Sequence, residues 1–142
     1  MKDPQTSESL ESAINEVLRN HAYLAKGLRS GNCLPMIRLL CHPWRDVERA
    51  LPRAVSEADL GPALTNLISL RKMLIWTLTD SYSSYWIGLA VGWLEDGYPL
   101  DRGIVDAADH MIRAKYGTQA QRHSAFRIVR RWERFVPDRA PN

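Results

Sequence analysis

The arginines near the end of the chain are the residues whose type and spacing best suit binding to an anion. At helical spacing they fall on one side of the last predicted helix. The predicted basic set is Arg122, His123, Arg127, Arg130, Arg131 and Arg134, with Arg122 at its edge. Guanidinium groups neutralise phosphates and bind carboxylates in a bidentate manner. Three interpretations follow: a binding face for an anionic partner, pairing with acids of a neighbouring helix, or a solvated face.

Acidic and aromatic residues precede this stripe and form a second candidate surface. The predicted protein-binding residues are Tyr82, Tyr85, Glu95, Asp96, Tyr98, Asp106 and Asp109. Asp106 and Asp109 are three residues apart and therefore share a helix face. Exposed tyrosines are frequent anchors of protein interfaces. This surface predicts a basic partner, and its alternative is a solvated face on which aspartates are favoured by helix dipoles.

The other reactive side chains do not form a pattern typical of catalysis or metal binding. Cys41 and His42 are adjacent, so on a helix end their side chains point in different directions, and Cys33 is at no compact zinc spacing. We therefore expect no metal, no cofactor and no catalytic residue. A small helical enzyme with a carboxylate site stays an alternative, and it would need a cleft around Glu95 or Asp106.

The net charge of +3 conceals a strong segregation of charge along the chain. Residues 80–111 hold six acids and one arginine, whereas residues 112–142 hold eight bases and two acids. This layout without catalytic residues favours a non-enzymatic protein–protein interaction module, of the inhibitor or immunity type that acts through charge and shape complementarity. Nucleic-acid binding through the last helix is the alternative, and a homo-oligomer is compatible with the same surfaces.

The cellular compartment is predicted from cysteine usage and hydropathy. The chain has two cysteines, a polar start and no stretch that approaches 18 uninterrupted apolar residues. We expect reduced thiols, a cytoplasmic location and no membrane partner.

Apolar residues recur at spacings of three and four through most of the chain, which predicts an all-α protein. The predicted helices cover residues 10–28, 35–41, 43–51, 62–79, 83–96, 101–117 and 118–136. Prolines are expected in first turns and not in helix interiors. Ser7 or Ser9 is the predicted N-cap of the first helix and Asp101 that of the helix over 101–117, and Thr118 with Gln121 forms a capping box. The apolar stripe of the last helix is Ala125, Ile128, Val129, Trp132, Phe135 and Val136.

These elements predict one helical domain over residues 1–142, with flexible ends at 1–6 and 137–142. The expected architecture is a compact bundle of about five main helices plus one or two short ones, because short loops favour antiparallel neighbours. Two stacked helical hairpins of HEAT-like type, over residues 62–97 and 101–136, are the alternative arrangement.

Overall fold

The computed structural model describes residues 8–135, and these residues form helices joined by turns and loops. The all-α class is confirmed. The chain divides into two compact units, Met1–Trp76 (unit 1) and Thr77–Asn142 (unit 2). The single domain and the HEAT-like hairpins stay predictions. The ends expected to be flexible, 1–6 and 137–142, lie outside the described residues.

Unit 1 is built from short helices around an aliphatic core. Its elements are α1 (Leu10–Arg19), α2 (His21–Arg29), a 3-10 helix (Leu34–Cys41), α3 (Trp44–Ala58), α4 (Pro62–Thr65) and the first part of α5 (Leu70–Asp80). Helix α1 packs against α3, and both α1 and α2 pack against the 3-10 helix. The fully buried side chains at the centre include Leu24, Met36, Leu39 and Val47.

The helix predicted over residues 10–28 is in fact two helices. Ser9 caps α1 as predicted, since its Oγ accepts the Ser12 N–H at 3.1 Å. Asn20 then leaves helical geometry, and its Oδ1 accepts the Tyr23 N–H at 3.1 Å to begin α2. An asparagine side chain can accept a backbone N–H in place of a helical carbonyl and so interrupt a helix. The spacing of the apolar residues continues across the break and therefore does not reveal it.

The prediction that prolines stay out of helix interiors is wrong at Pro52. Helix α3 runs through this residue to Ala58 instead of ending at Leu51. An interior proline costs about 3 kcal/mol. Leu51 and Val55 are both buried on the same face. Burying such a side chain stabilises by about 1.5–3 kcal/mol, so continuing the apolar face by one more turn offsets much of the cost.

The helix predicted over residues 62–79 is also interrupted. Leu67 and Ile68 donate their N–H groups to the carbonyls of Leu64 and Thr65, which closes tight turns after α4. The Ser69 Oγ accepts the Lys72 N–H at 3.1 Å and starts α5. Serine favours a capping position over a helix interior, which is the physical reason for the break.

Unit 2 is built on α6 (Ser84–Glu95), α7 (Arg102–Ala114) and α8 (Gln119–Phe135), together with the end of α5. Helix α8 packs against both α6 and α7. Asp101 caps α7 as predicted, because its Oδ1 accepts the Ile104 N–H at 3.0 Å. Ile87, Ile104, Met111 and Ala125 are almost completely buried at the centre of the unit.

Two boundaries and one apolar stripe of unit 2 differ from the prediction. Helix α7 ends at Ala114, with Lys115 in the left-handed region at φ 61°, so Gly117 does not end it. Ala125, Ile128 and Val129 are buried as the stripe predicts, and Trp132 is half-buried. Phe135 is exposed, although it lies seven residues beyond the buried Ile128 and on the same side of the helix; it is the last described residue of α8. Val136 lies outside the described residues.

Candidate functional site

Helix α8 carries the candidate site, and the turn before it fixes how the helix is rotated. The predicted capping box is confirmed: the Thr118 N–H donates to Gln121 Oε1 at 2.9 Å, and the Gln121 N–H donates to Thr118 Oγ1 at 3.1 Å. The Gln121 Nε2 also donates to the Ser84 carbonyl of α6 at 2.9 Å. With Ile128 and Val129 buried, the opposite side of α8 is left in contact with solvent.

The exposed side of α8 forms a shallow basic groove. Among the described residues, the lining consists of Phe126, Arg127, Arg130, Arg131 and Arg134, which we call the basic face, and the groove has a volume of about 430 Å³. Arg127 and Arg134 are seven residues apart, so they are separated by about 10 Å along the helix axis. Four guanidinium groups and one aromatic ring are therefore presented together on two turns of helix.

The arginines of the basic face differ in what they contact. Arg127 donates to Ser124 Oγ at 3.2 Å, and its Nη2 lies 3.9 Å from Glu95 Oε2. The Arg130 guanidinium lies over the Phe126 ring, 5.6 Å from the ring centroid. Within residues 8–135, Arg130, Arg131 and Arg134 form no ion pair. The positive charge of these three residues is therefore not neutralised by acids of the described chain.

Two members of the predicted basic set lie apart from the groove lining. His123 is exposed on α8. The Arg122 side chain folds back on the end of α7 and donates from Nη1 to the Gly117 carbonyl at 2.7 Å, with longer bonds to the carbonyls of Lys115 and Tyr116 at 3.3 and 3.4 Å. Carbonyl groups at a helix C-terminus carry partial negative charge and favour a cation. Arg122 is thus a structural cap of α7.

The acids of the predicted protein-binding surface lie close to arginines. Asp109 Oδ2 is 2.9 Å from Arg113 Nη2, and Asp106 Oδ1 is 3.7 Å from Arg102 Nη1. Both pairs follow the i, i+4 spacing on α7, where an ion pair stabilises by only about 0.3–0.5 kcal/mol. Because Glu95 is next to Arg127, each of these three carboxylates has a cation nearby. Asp96 is exposed at the end of α6.

Each of the three predicted tyrosines packs on another aromatic ring of unit 2. Tyr82 packs edge-to-face on Tyr116, with ring centroids 5.0 Å apart, and Tyr85 packs in the same manner on Trp86 at 4.9 Å. Tyr98 stacks on Trp93 at 5.9 Å.

Tyr116 was missed as a site residue by reasoning from sequence. Partial burial raises its pKa, and a hydrogen bond with Tyr82 and the charge of Asp80 raise it further. The ring also lies 5.6 Å from the His110 ring. Tyr116 lies just after the end of α7 and far from Tyr82 in the sequence. Only the tertiary structure therefore shows that the two rings pack together. Phe126 was missed as well, although its position one residue before Arg127 on an exposed helix face was a usable signal.

Both cysteines of the chain lie in unit 1. Cys33 is buried and Cys41 half-buried, and neither is part of a disulfide bond within residues 8–135. Burial raises the pKa of the Cys33 thiol, an effect that Lys72 partly opposes, and a raised pKa disfavours the reactive thiolate. Across residues 8–135, no three His, Cys, Asp or Glu side chains are arranged to hold a metal ion. No helix in the same range is long and apolar enough to span a membrane.

Comparison with known proteins adds no family to this description. No family model, no curated protein and no solved structure matches the chain.

Proposed function

We propose that this protein is a non-enzymatic protein–protein interaction module, of the inhibitor or immunity type, that binds its partner through unit 2. The observation that carries the proposal is the exposure of four aromatic side chains in this unit. Their exposed fractions are 67% for Tyr82, 43% for Tyr85, 49% for Phe126 and 78% for Phe135. Aromatic residues and arginine are enriched among the residues that dominate binding energy in protein interfaces.

The energetics of these side chains support binding to a macromolecule. Burying a large apolar side chain stabilises a fold or a complex by about 1.5–3 kcal/mol. Phe126 and Phe135 stay exposed after folding, so a partner that covers them would gain much of this free energy on binding. Tyrosine and phenylalanine lose little conformational entropy when they are covered, because each has two side-chain torsions. The carboxylates Glu95 and Asp106, by contrast, are exposed on helix surfaces beside arginines, so the enzyme alternative has no supporting observation.

Site-specific photo-cross-linking in living cells tests the proposal. A photoreactive phenylalanine analogue replaces Tyr82, Phe126 or Phe135, one position at a time. Tyr23 is the matched control, because it is an aromatic residue of unit 1 that is 53% exposed. We expect one and the same protein to be trapped from at least two unit 2 positions and not from Tyr23. If no protein is trapped from any of the three unit 2 positions, the proposed function is excluded.

Nucleic-acid binding through the basic face is the second candidate function. The observation that favours it is the position of Phe126 among four arginines, because single-stranded nucleic acids bind through charge combined with stacking of bases on aromatic rings. Fluorescence anisotropy with a labelled single-stranded oligonucleotide, measured over a series of salt concentrations, tests it. Each lost phosphate contact should lower the salt slope by about 0.7. If R127Q/R130Q/R134Q binds with an unchanged slope, or if nothing binds at low salt, this candidate is excluded.

A further inference from the structure

We infer that the basic face is the docking site for an acidic helical segment of the protein partner, an inference that rests on the proposed function. Charge complementarity is the first argument. Arg130, Arg131 and Arg134 have no carboxylate partner within residues 8–135, whereas Glu95, Asp106 and Asp109 each lie close to an arginine. The guanidinium charges of these three α8 residues are therefore left for a partner.

The spacing of the arginines indicates the form of the partner segment. Arg127, Arg130, Arg131 and Arg134 occupy positions i, i+3, i+4 and i+7 of a regular helix. A second helix that lies along α8 presents carboxylates at the same spacing over the same length of about 10 Å. Exposed ion pairs are individually weak, so we expect at least three carboxylates, each paired with one guanidinium in bidentate geometry.

Aromatic side chains give this site an apolar component that charge alone lacks. Phe126 lies beneath the Arg130 guanidinium in the groove, and Phe135 is exposed at the end of the same helix. An acidic helix with an apolar residue between its carboxylates would cover the Phe126 ring while its acids reach the arginines. On the side of this protein, the contact would use aromatic residues and arginine, which are both enriched in protein interfaces.

The surroundings of the basic face favour an acidic protein segment over a nucleic acid. Residues 77–135 hold eight lysines and arginines and seven acids, so the positive charge is confined to one side of one helix. Glu95 lies within 3.9 Å of Arg127, and Glu133 is exposed on α8 itself. These acids repel any anion. A phosphate backbone that extends beyond the groove would meet both of them, whereas a segment of two or three helical turns is short enough to place its carboxylates at Arg130, Arg131 and Arg134.

Two synthetic peptides and two matched variants test the inference. The probe is an alanine-based helical peptide with glutamates at positions i, i+3, i+4 and i+7 and a leucine between them to cover Phe126, and its control keeps the leucine but has glutamines in place of the glutamates. The variant R130E/R131E/R134E reverses the basic face. R19E/R49E/R53E is the matched control, because it reverses three exposed arginines of unit 1 for the same change in net charge. Circular dichroism confirms that both variants are helical.

At about 150 mM salt, where charges more than about 8 Å apart are screened, we expect the glutamate peptide to bind and the glutamine peptide not to bind. R130E/R131E/R134E should weaken binding by about 10-fold or more, which corresponds to about 0.5 kcal/mol for each of three pairs, and R19E/R49E/R53E by less than about twofold. Equal weakening by both variants would overturn the inference. So would tighter binding of a single-stranded oligonucleotide that only R130E/R131E/R134E abolishes.

This inference and the proposed function fail in different ways. If the photo-cross-links trap a partner and R130E/R131E/R134E leaves their yield unchanged, the protein is an interaction module but the basic face is not its docking site. If no protein is trapped from any unit 2 position, the proposed function itself is excluded.

Discussion

At the scale of single residues, the role of an arginine depends on which groups its side chain contacts. Arg122 and Arg131 belong to the same stripe on α8 and have the same chemistry. Arg122 is half-buried and bonds to three carbonyls at the end of α7, whereas Arg131 is exposed and forms no ion pair within residues 8–135. The first arginine therefore contributes to stability, and the second is available for binding.

This difference predicts unequal effects of alanine substitutions at the two positions. Arg122→Ala should lower the free energy of unfolding by about 1–2 kcal/mol, because the carbonyls of Lys115, Tyr116 and Gly117 lose a charged donor. Arg131→Ala should change it by less than about 0.5 kcal/mol, as is usual for surface sites. Urea unfolding followed by circular dichroism measures both, and equal midpoints would show that Arg122 does not cap α7.

Cys33 gives a prediction for the dependence of stability on pH. Burial raises the pKa of its thiol above the ordinary value of 9.0, although Lys72 opposes part of this effect. The folded protein therefore holds this proton more tightly than the unfolded chain does. The stability that results is fully present below pH 9.0 and is lost as the pH rises from there through the pKa of the folded state.

The comparison of a cysteine variant with a variant that has lost no titratable group isolates this effect. Between about pH 8 and pH 10, the free energy of unfolding should fall less in Cys33→Ala than in the wild-type protein, because the alanine has no proton to lose. Val47→Ala is the control, because it removes part of a buried side chain but no titratable group, and it should keep the wild-type pH dependence. Urea unfolding at each pH provides the values, and identical slopes for all three proteins would contradict the expected role of Cys33.

At the scale of elements, two glycines of unit 2 should respond to alanine in opposite directions. Gly117 has a φ of +76°, and an added Cβ would lie 2.6 Å from Gln121 Oε1 and 3.1 Å from Ile87 Cγ2. Gly117→Ala should therefore destabilise by more than about 1 kcal/mol. Gly92 lies inside α6 with nothing within 4 Å of the added Cβ, so Gly92→Ala should stabilise by about 0.5–1 kcal/mol. Thermal unfolding tests both signs, and a rise in melting temperature for Gly117→Ala would contradict the geometry.

The helix ends that could be predicted from sequence are those where the signal is local. Ser9, Asp101 and the Thr118–Gln121 capping box each act within three residues of the helix that they start. The breaks at Asn20 and before Ser69 could not be predicted in this way. Asparagine and serine occur both inside helices and at their caps, and the apolar period continues across both breaks.

The candidate site was predictable in composition but not in its contacts. Helical spacing places Arg127, Arg130 and Arg134 on one face, and the structure shows them there. The bond from Gln121 to the Ser84 carbonyl links residues 37 positions apart. The proximity of Glu95 to Arg127 likewise depends on the packing of α6 against α8. Such contacts depend on how the helices pack together, and the spacing of residues along one helix carries no information about that packing.

At the scale of the whole molecule, the charges that are segregated along the chain fall into two kinds on the surface. Some lie beside a group of opposite charge, and others do not. The acids of residues 80–111 predict a negative surface, yet Glu95, Asp106 and Asp109 each lie near an arginine. The basic face of α8 keeps its charge and lies beside exposed aromatic rings. This surface is the one on which the proposed interaction with an acidic protein segment depends.

The most direct measurement is the yield of cross-linked partner from a chain that carries the photoreactive analogue at Phe135. The yield is compared between the wild-type background, R130E/R131E/R134E and the control R19E/R49E/R53E. We predict a loss of about 10-fold in the first variant, from three lost ion pairs of about 0.5 kcal/mol each, and no change in the control. Equal yields from all three proteins would contradict the claim that the basic face of α8 binds the partner.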